Sequence, residues 1–116
     1  MPGMDQAAIY KDFHDAVNMA PAEIEHWLGS DESKRVGFKG EDGEKTESVG
    51  HASGRRIVTI LRTKKAQLDE DDYAHMRKVV GYVKRHLAQR PERPEVSNWR
   101  WSLMNWGHDP MKSDGA

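Results

Sequence analysis

Apolar residues recur along this chain at helical rather than strand-like intervals. Ile9, Phe13, Ala16 and Val17 fall at i, i+4, i+7 and i+8 and predict a first helix over Asp5 to Val17, stopped at Asn18. Pro21 suits the first turn of a second helix, where its missing N–H costs little. Ile24, Trp27 and Leu28 form that helix's buried stripe, Glu23 and Glu25 lie near its positive end, and Gly29 stops it. Ser53 reads as the N-cap of a third helix running to about Ala66, with Ile57, Val58, Ile60 and Leu61 on its apolar side; Leu68 anchors the turn that follows. Asp69 caps a fourth and longest helix reaching about Gln89. It carries Tyr73, Met76, Val79 or Val80, Val83 and Leu87 at a helical period, with acids first and bases later, as the dipole favours, and Pro91 and Pro94 end it. Ser97 caps a short last helix with Trp99, Leu103 and Trp106 at i, i+4 and i+7, stopped by Gly107 and Pro110.

No stretch alternates convincingly with a period of two, and there is no internal repeat. The expected fold is therefore all-α: a small single-domain bundle of about five helices over residues 1–116, its third and fourth helices joined as a central αα-hairpin. Gly37, Gly40, Gly43 and Gly50 stand among charges, so residues 30–52 are expected to form one long Gly-rich loop. It is not a phosphate-binding P-loop, because no Gly-Lys-Ser/Thr follows at the required spacing. Residues 1–4 and 112–116 are expected to be disordered tails.

Composition narrows the classes. At 116 residues the length suits one domain, and four Trp, three Tyr and two Phe supply core bulk to a chain that is 36% apolar and 32% charged. The absence of Cys excludes a disulfide framework, a zinc ribbon and a catalytic thiol. The first fifteen residues lack a basic-then-apolar signal pattern, and no apolar run approaches the ~20 residues of a membrane span. Cytoplasm is the expected compartment, and neither a membrane partner nor a cofactor is expected; oligomeric state stays open.

The net charge of −1 conceals an asymmetry: residues 1–50 carry 11 acids and 5 bases, whereas residues 51–116 carry 8 acids and 13 bases. Such a split marks either a face for an anionic polymer or pairing between the two halves. Two constellations concentrate the cations. Arg55 and Arg56 follow Ser53-Gly54, where, in the first turn of the expected helix, they would oppose its dipole. A bound phosphate would offset that, as would loop carboxylates such as Glu41, Asp42, Glu44 or Glu47. On the fourth helix, Gly81 has Arg77, Lys78, Lys84 and Arg85 at i−4, i−3, i+3 and i+4, so a residue without a side chain is surrounded by four cations. A phosphate backbone could approach closely there; alternatively Gly81 admits a crossing helix, or the cations form a solvated face. Arg62, Lys64 and Lys65 would join these groups if the outward bases of the third and fourth helices formed one continuous patch. Standard helix-turn-helix reading fits poorly, because the fourth helix opens on Asp69-Glu70-Asp71-Asp72.

Three further groups carry weaker signals. Trp99, Trp101 and Trp106, with Arg100, could stack on nucleobases or anchor a protein interface. Helical spacing places Trp99 and Trp106 in the core and leaves Trp101 as the one for exposure. Glu23 with His26, and Asp72 with His75, repeat the acid-x-x-His spacing of di-iron bundles; for the two further inward carboxylates such a site needs, only Asp12 or Asp15 offer themselves, so no metal is assigned. Ser53 near His51 offers a nucleophile and a base without a third group or an oxyanion hole, so no catalytic residue is assigned.

The residues quoted resemble an uncharacterised family, the domain of unknown function numbered 3140, found mainly in bacteria and also in fungi. The resemblance is carried by Val17-Asn18-Met19, Glu25-His26-Trp27-Leu28, the stretch Gly50 to Val58, the stretch Asp72 to Val83, and the stretch Trp99 to Pro110, and covers about residues 9–112. Members are sometimes labelled DNA-binding proteins, so the resemblance implies nucleic-acid binding and brings no catalytic residues. The expectation is a non-enzymatic DNA-binding protein that contacts phosphates through Arg55, Arg56, Arg62, Lys64, Lys65, Arg77, Lys78, Lys84 and Arg85, around Gly81, with Trp101 as a stacking or anchoring group. The alternatives are a protein-interaction or accessory protein using the Trp-rich C-terminus, and a metal-binding helical protein using Glu23, His26, Asp72 and His75.

Overall fold

The structure, a computed structural model, describes residues 5–36, 47–93 and 97–112. It is all-helical among those residues, with α1 (Gln6–Ala16), α2 (Pro21–Leu28), α3 (Asp31–Arg35), α4 (Val49–Leu61), α5 (Glu70–Leu87) and α6 (Asn98–Asn105), and a single 3₁₀ turn (Lys65–Gln67) between α4 and α5. None of the described helices is long and apolar enough to cross a membrane.

Four of the helices begin where local chemistry demands. Asp5 caps α1 by accepting from the Ala8 N–H at 3.1 Å. At α2 the Glu23 carboxylate accepts from the Ala20 N–H at 3.0 Å, with Pro21 in the first turn. Asp69 and Asp72 cap α5 reciprocally, each side chain accepting from the other's backbone N–H. Ser97 caps α6. Gly107 ends α6 in the left-handed region at φ 81°, with the His108 and Gly107 N–H groups donating back to Leu103 and Met104.

Three expectations need correction. Residues 30–52 are not one loop: Ser30 caps α3, whose acids come first and bases last, and α4 starts at Val49, inside the stretch expected to be loop. Ser48, not Ser53, is the cap of α4, accepting from the His51 N–H at 3.0 Å. The reason is tertiary. Gly50 and Gly54 lie one turn apart on α4 and take the end of α6. A Cβ at Gly54 would stand 2.6 Å from the Asn105 carbonyl oxygen, and one at Gly50 2.9 Å from Trp106 Nε1. These glycines are close-approach residues within a helix, not loop residues. Gly37, Gly40, Gly43, Glu41, Asp42, Glu44, Pro94 and the tails at 1–4 and 113–116 lie outside the described residues. Lys112, expected in a tail, is tied down, its Nζ donating to the Asn18 carbonyl at 2.8 Å and to Glu23 at 2.6 Å.

α5 packs along α1 and α4 along α2, with α6 against the ends of α2, α3 and α4. Phe13, Ile24, Ile57, Met76, Val79 and Leu103 meet at 0% exposure. Asn105 is buried among them as a polar hub. Its Oδ1 accepts from Trp27 Nε1 at 2.8 Å and from Ser33 Oγ at 2.5 Å, and its Nδ2 donates to the Ser33 carbonyl at 3.1 Å. One side chain of α6 therefore fixes both α2 and α3. Just beyond the same end of α6, Asn18 and Asp109 exchange two hydrogen bonds, at 3.0 and 2.8 Å, closing the C-terminal segment onto the α1–α2 turn.

Candidate nucleic-acid interface

The bases expected to form one patch divide into two groups with different surroundings. On α4, Arg55 donates to both carboxylate oxygens of Glu47 at 2.8 and 2.6 Å, Arg56 reaches Asp72 at 3.1 Å, and Arg62 forks onto Glu25 of α2 at 2.8 and 2.7 Å. The start of α4 at Val49 places Arg55 and Arg56 in the second turn, where their backbone N–H groups serve the helix. The dipole conflict expected at Ser53-Gly54 thus does not arise, and carboxylates hold the side chains of both arginines. Glu47 is held at a pKa of about 2, chiefly by the hydrogen bonds from Arg55 and assisted by His51. His51 touches Glu47 through Nδ1 and the Leu28 carbonyl through Nε2, the latter at 2.8 Å. Such exposed pairs stabilise the fold little. They do mean that a phosphate arriving at Arg55, Arg56 or Arg62 must first displace a carboxylate.

On α5 the situation is reversed. Arg77, Lys78, Lys84 and Arg85 are exposed, and among the described residues none of them forms a salt bridge. Arg77, Lys78 and Arg85 line a concavity with Ala74 and Gly81. The atoms nearest a Cβ at Gly81 would be those of the Arg85 guanidinium, Nη1 at 2.9 Å. Among the described residues no crossing helix uses this glycine. It leaves room for an arginine to lie along its own helix. From Arg77 to Arg85 the cations span roughly 12 Å of helix at ~1.5 Å per residue.

Lys64 and Lys65 do not join either group. They lie in the α4–α5 connection, Lys65 with its Nζ 4.5 Å from the centroid of Tyr10. The acidic first turn of α5 separates them from Arg77. Arg56 of α4, by contrast, reaches Asp72 of α5 and acts with Lys78 on His75. Arg55 and Arg62 share a groove with Glu25 between α2 and α4, whereas Arg77, Lys78 and Arg85 share a surface of α5.

Trp99 and Trp106 are buried, at 8% and 4% exposure, as their spacing predicts. Trp101 is half-buried, with the Arg35 guanidinium 5.9 Å from its ring centroid. The aromatic beside the α5 cations is instead Tyr82. It belongs to a column of nearly parallel rings shared by α5 and α6. Trp106 lies 4.2 Å from Tyr82 and 6.3 Å from His75; His86 lies 5.0 Å from Tyr82 and 6.4 Å from Trp99. Burial, helped by Arg56 and Lys78, lowers His75 to a pKa of about 4, and its Nε2 stands 2.9 Å from Ser53 Oγ. Ser53 thus pairs with His75, not with His51, deep in the helix packing at 4% exposure. The role of Tyr82 was readable at i+4 from Lys78 and i−3 from Arg85, a spacing that puts all three on one side of α5.

Glu23 and Asp72 are engaged by Lys112 and Arg56, and among the described residues no three His, Asp or Glu stand together in a way that could hold a metal ion. Glu23, His26, Asp72 and His75 are therefore not gathered into a ligand set.

A family model described as "Protein of unknown function (DUF3140)" matches residues 12–104. No curated protein and no solved structure matches the chain.

Proposed function

We propose, from the premise that this chain belongs to the DUF3140 family and takes no assigned activity from it, that it is a non-enzymatic nucleic-acid-binding protein contacting the phosphate backbone through α5. The supporting observation is the contrast in charge pairing. Arg77, Lys78, Lys84 and Arg85 make no salt bridge among the described residues, while Arg55, Arg56 and Arg62 each hold a carboxylate. Unpaired cations at helical spacing gain most from a polyanion, because each phosphate contact releases condensed counterions without breaking an internal bond. The contact is one of position rather than sequence: lysines and arginines on phosphates carry no base information. Glu70 and Asp71, exposed in the first turn, bound this face on its N-terminal side and direct the polyanion to the stretch of α5 from Arg77 onward.

The experiment is fluorescence anisotropy of labelled duplex and single-stranded oligonucleotides of mixed sequence, titrated with the protein at low salt. The expected result is sequence-independent binding that weakens steeply with salt. No binding at 20 mM salt (about one fifth of the ionic strength at which the Debye length is ~10 Å) would contradict the proposal.

A further inference from the structure

Lys78, Tyr82 and Arg85 also border a second feature, a cavity of about 300 Å³ between the first turn of α4, the middle of α5 and the end of α6. Gly50 and Trp106 are buried at its base, Val49 and Tyr82 are half-buried on its sides, and Lys78 and Arg85 are exposed at its mouth. The walls are mainly apolar. The two cations make no salt bridge among the described residues. Gly50 matters to the shape: any side chain there would run into Trp106 Nε1.

We infer that this cleft is a binding site for a small organic anion, its ring-sized apolar body inside and its carboxylate or phosphate monoester group held between Lys78 and Arg85. The size is at the lower end of small-ligand sites, which suits one ring with a short acidic arm. The mouth sets the charge, since an arginine fork and a lysine recognise planar or tetrahedral oxyanions. The wall geometry sets how the body is held. Tyr82 and Trp106 already lie parallel to each other and beside His86 and His75, so the walls offer ring edges and aliphatic carbon more than a free ring face. Occupancy would neutralise two of the four α5 cations, so the anion and a polyanion would compete. The site itself does not depend on nucleic-acid binding.

The test is isothermal titration of the full chain with phenyl phosphate and with phenylacetate, which separate the phosphate and carboxylate versions, against inorganic phosphate or acetate as the anionic half and phenol as the ring half. One of the whole probes is expected to bind one-to-one and about tenfold more tightly than either half. Arg85→Met and Lys78→Met should each weaken it by about tenfold, as expected for a lost charge-assisted hydrogen bond. Val49→Phe, which fills the cleft from α4 without touching the cations, should abolish it; Ser102→Leu makes the same test from α6 if Val49→Phe does not fold. Whole probes that bind no better than their halves would overturn the inference. So would binding that survives both Arg85→Met and the folded filling variant.

Discussion

The guanidinium of Arg85 occupies the space that a side chain at Gly81 would claim, its Nη1 2.9 Å from where a Cβ would stand. The neighbour is the far end of a flexible side chain, so it can move aside. At Gly54 the neighbours are the Asn105 carbonyl at 2.6 Å and the Leu28 side chain at 2.8 Å, a backbone atom and a core residue that cannot. The two glycines therefore answer differently to the same substitution. Gly81→Ala gains helix propensity and should stabilise by up to about 1 kcal/mol. Gly54→Ala forces α4 and α6 apart and should destabilise by about 1–3 kcal/mol. Urea denaturation of the two variants measures both.

Asn105 carries three hydrogen bonds inside the core, from Trp27, from Ser33 Oγ and to the Ser33 carbonyl. Asn105→Ala removes all three and leaves buried partners unpaired. A loss of about 3 kcal/mol follows at about 1 kcal/mol per bond, measurable as a fall in the urea midpoint. Accelerated hydrogen exchange confined first to α2 and α3 would show that this residue is what holds them.

Stability should fall with acid in two windows. His75 is lowered to about 4 in the fold, against 6.5 for an ordinary histidine, because burial, with Arg56 and Lys78, opposes its charge. Between those values the unfolded chain binds a proton that the folded chain refuses, so stability is full above pH 6.5 and declines as pH drops toward 4. His86 and His14, both lowered by burial, act in the same direction. Glu47, at about 2 against 4.5, contributes stability that is present above pH 4.5 and lost as pH falls through 2. Melting temperature measured from pH 8 to pH 3 should show both declines. His75→Gln should flatten the upper one and leave the lower.

Much of this fold is legible because its signals are local. Asp69 ahead of three acids and a helical stripe defines the start of α5, and Ser97 does the same for α6. The start of α4 is not, since Ser48 and Ser53 are equally good caps and two glycines between them and Arg55 read as loop. Only the approach of Asn105 and Trp106 decides it. α3 was within reach: Ser30, then Asp31 and Glu32, then Lys34 and Arg35 follow the dipole rule in miniature. The division of the cations was not. Arg62 meets Glu25 across 37 positions of sequence, and nothing local in either residue announces the other.

The competing roles of α4 and α5 are separable by salt dependence. Duplex binding should give a log–log slope between about −3 and −4 for four phosphate contacts. The pair Arg77→Ala with Lys84→Ala, which leaves the anion cleft intact, should flatten it by about 1.8, while Arg55→Ala with Arg62→Ala should leave it nearly unchanged. A slope flattened by the α4 pair and untouched by the α5 pair would contradict the account.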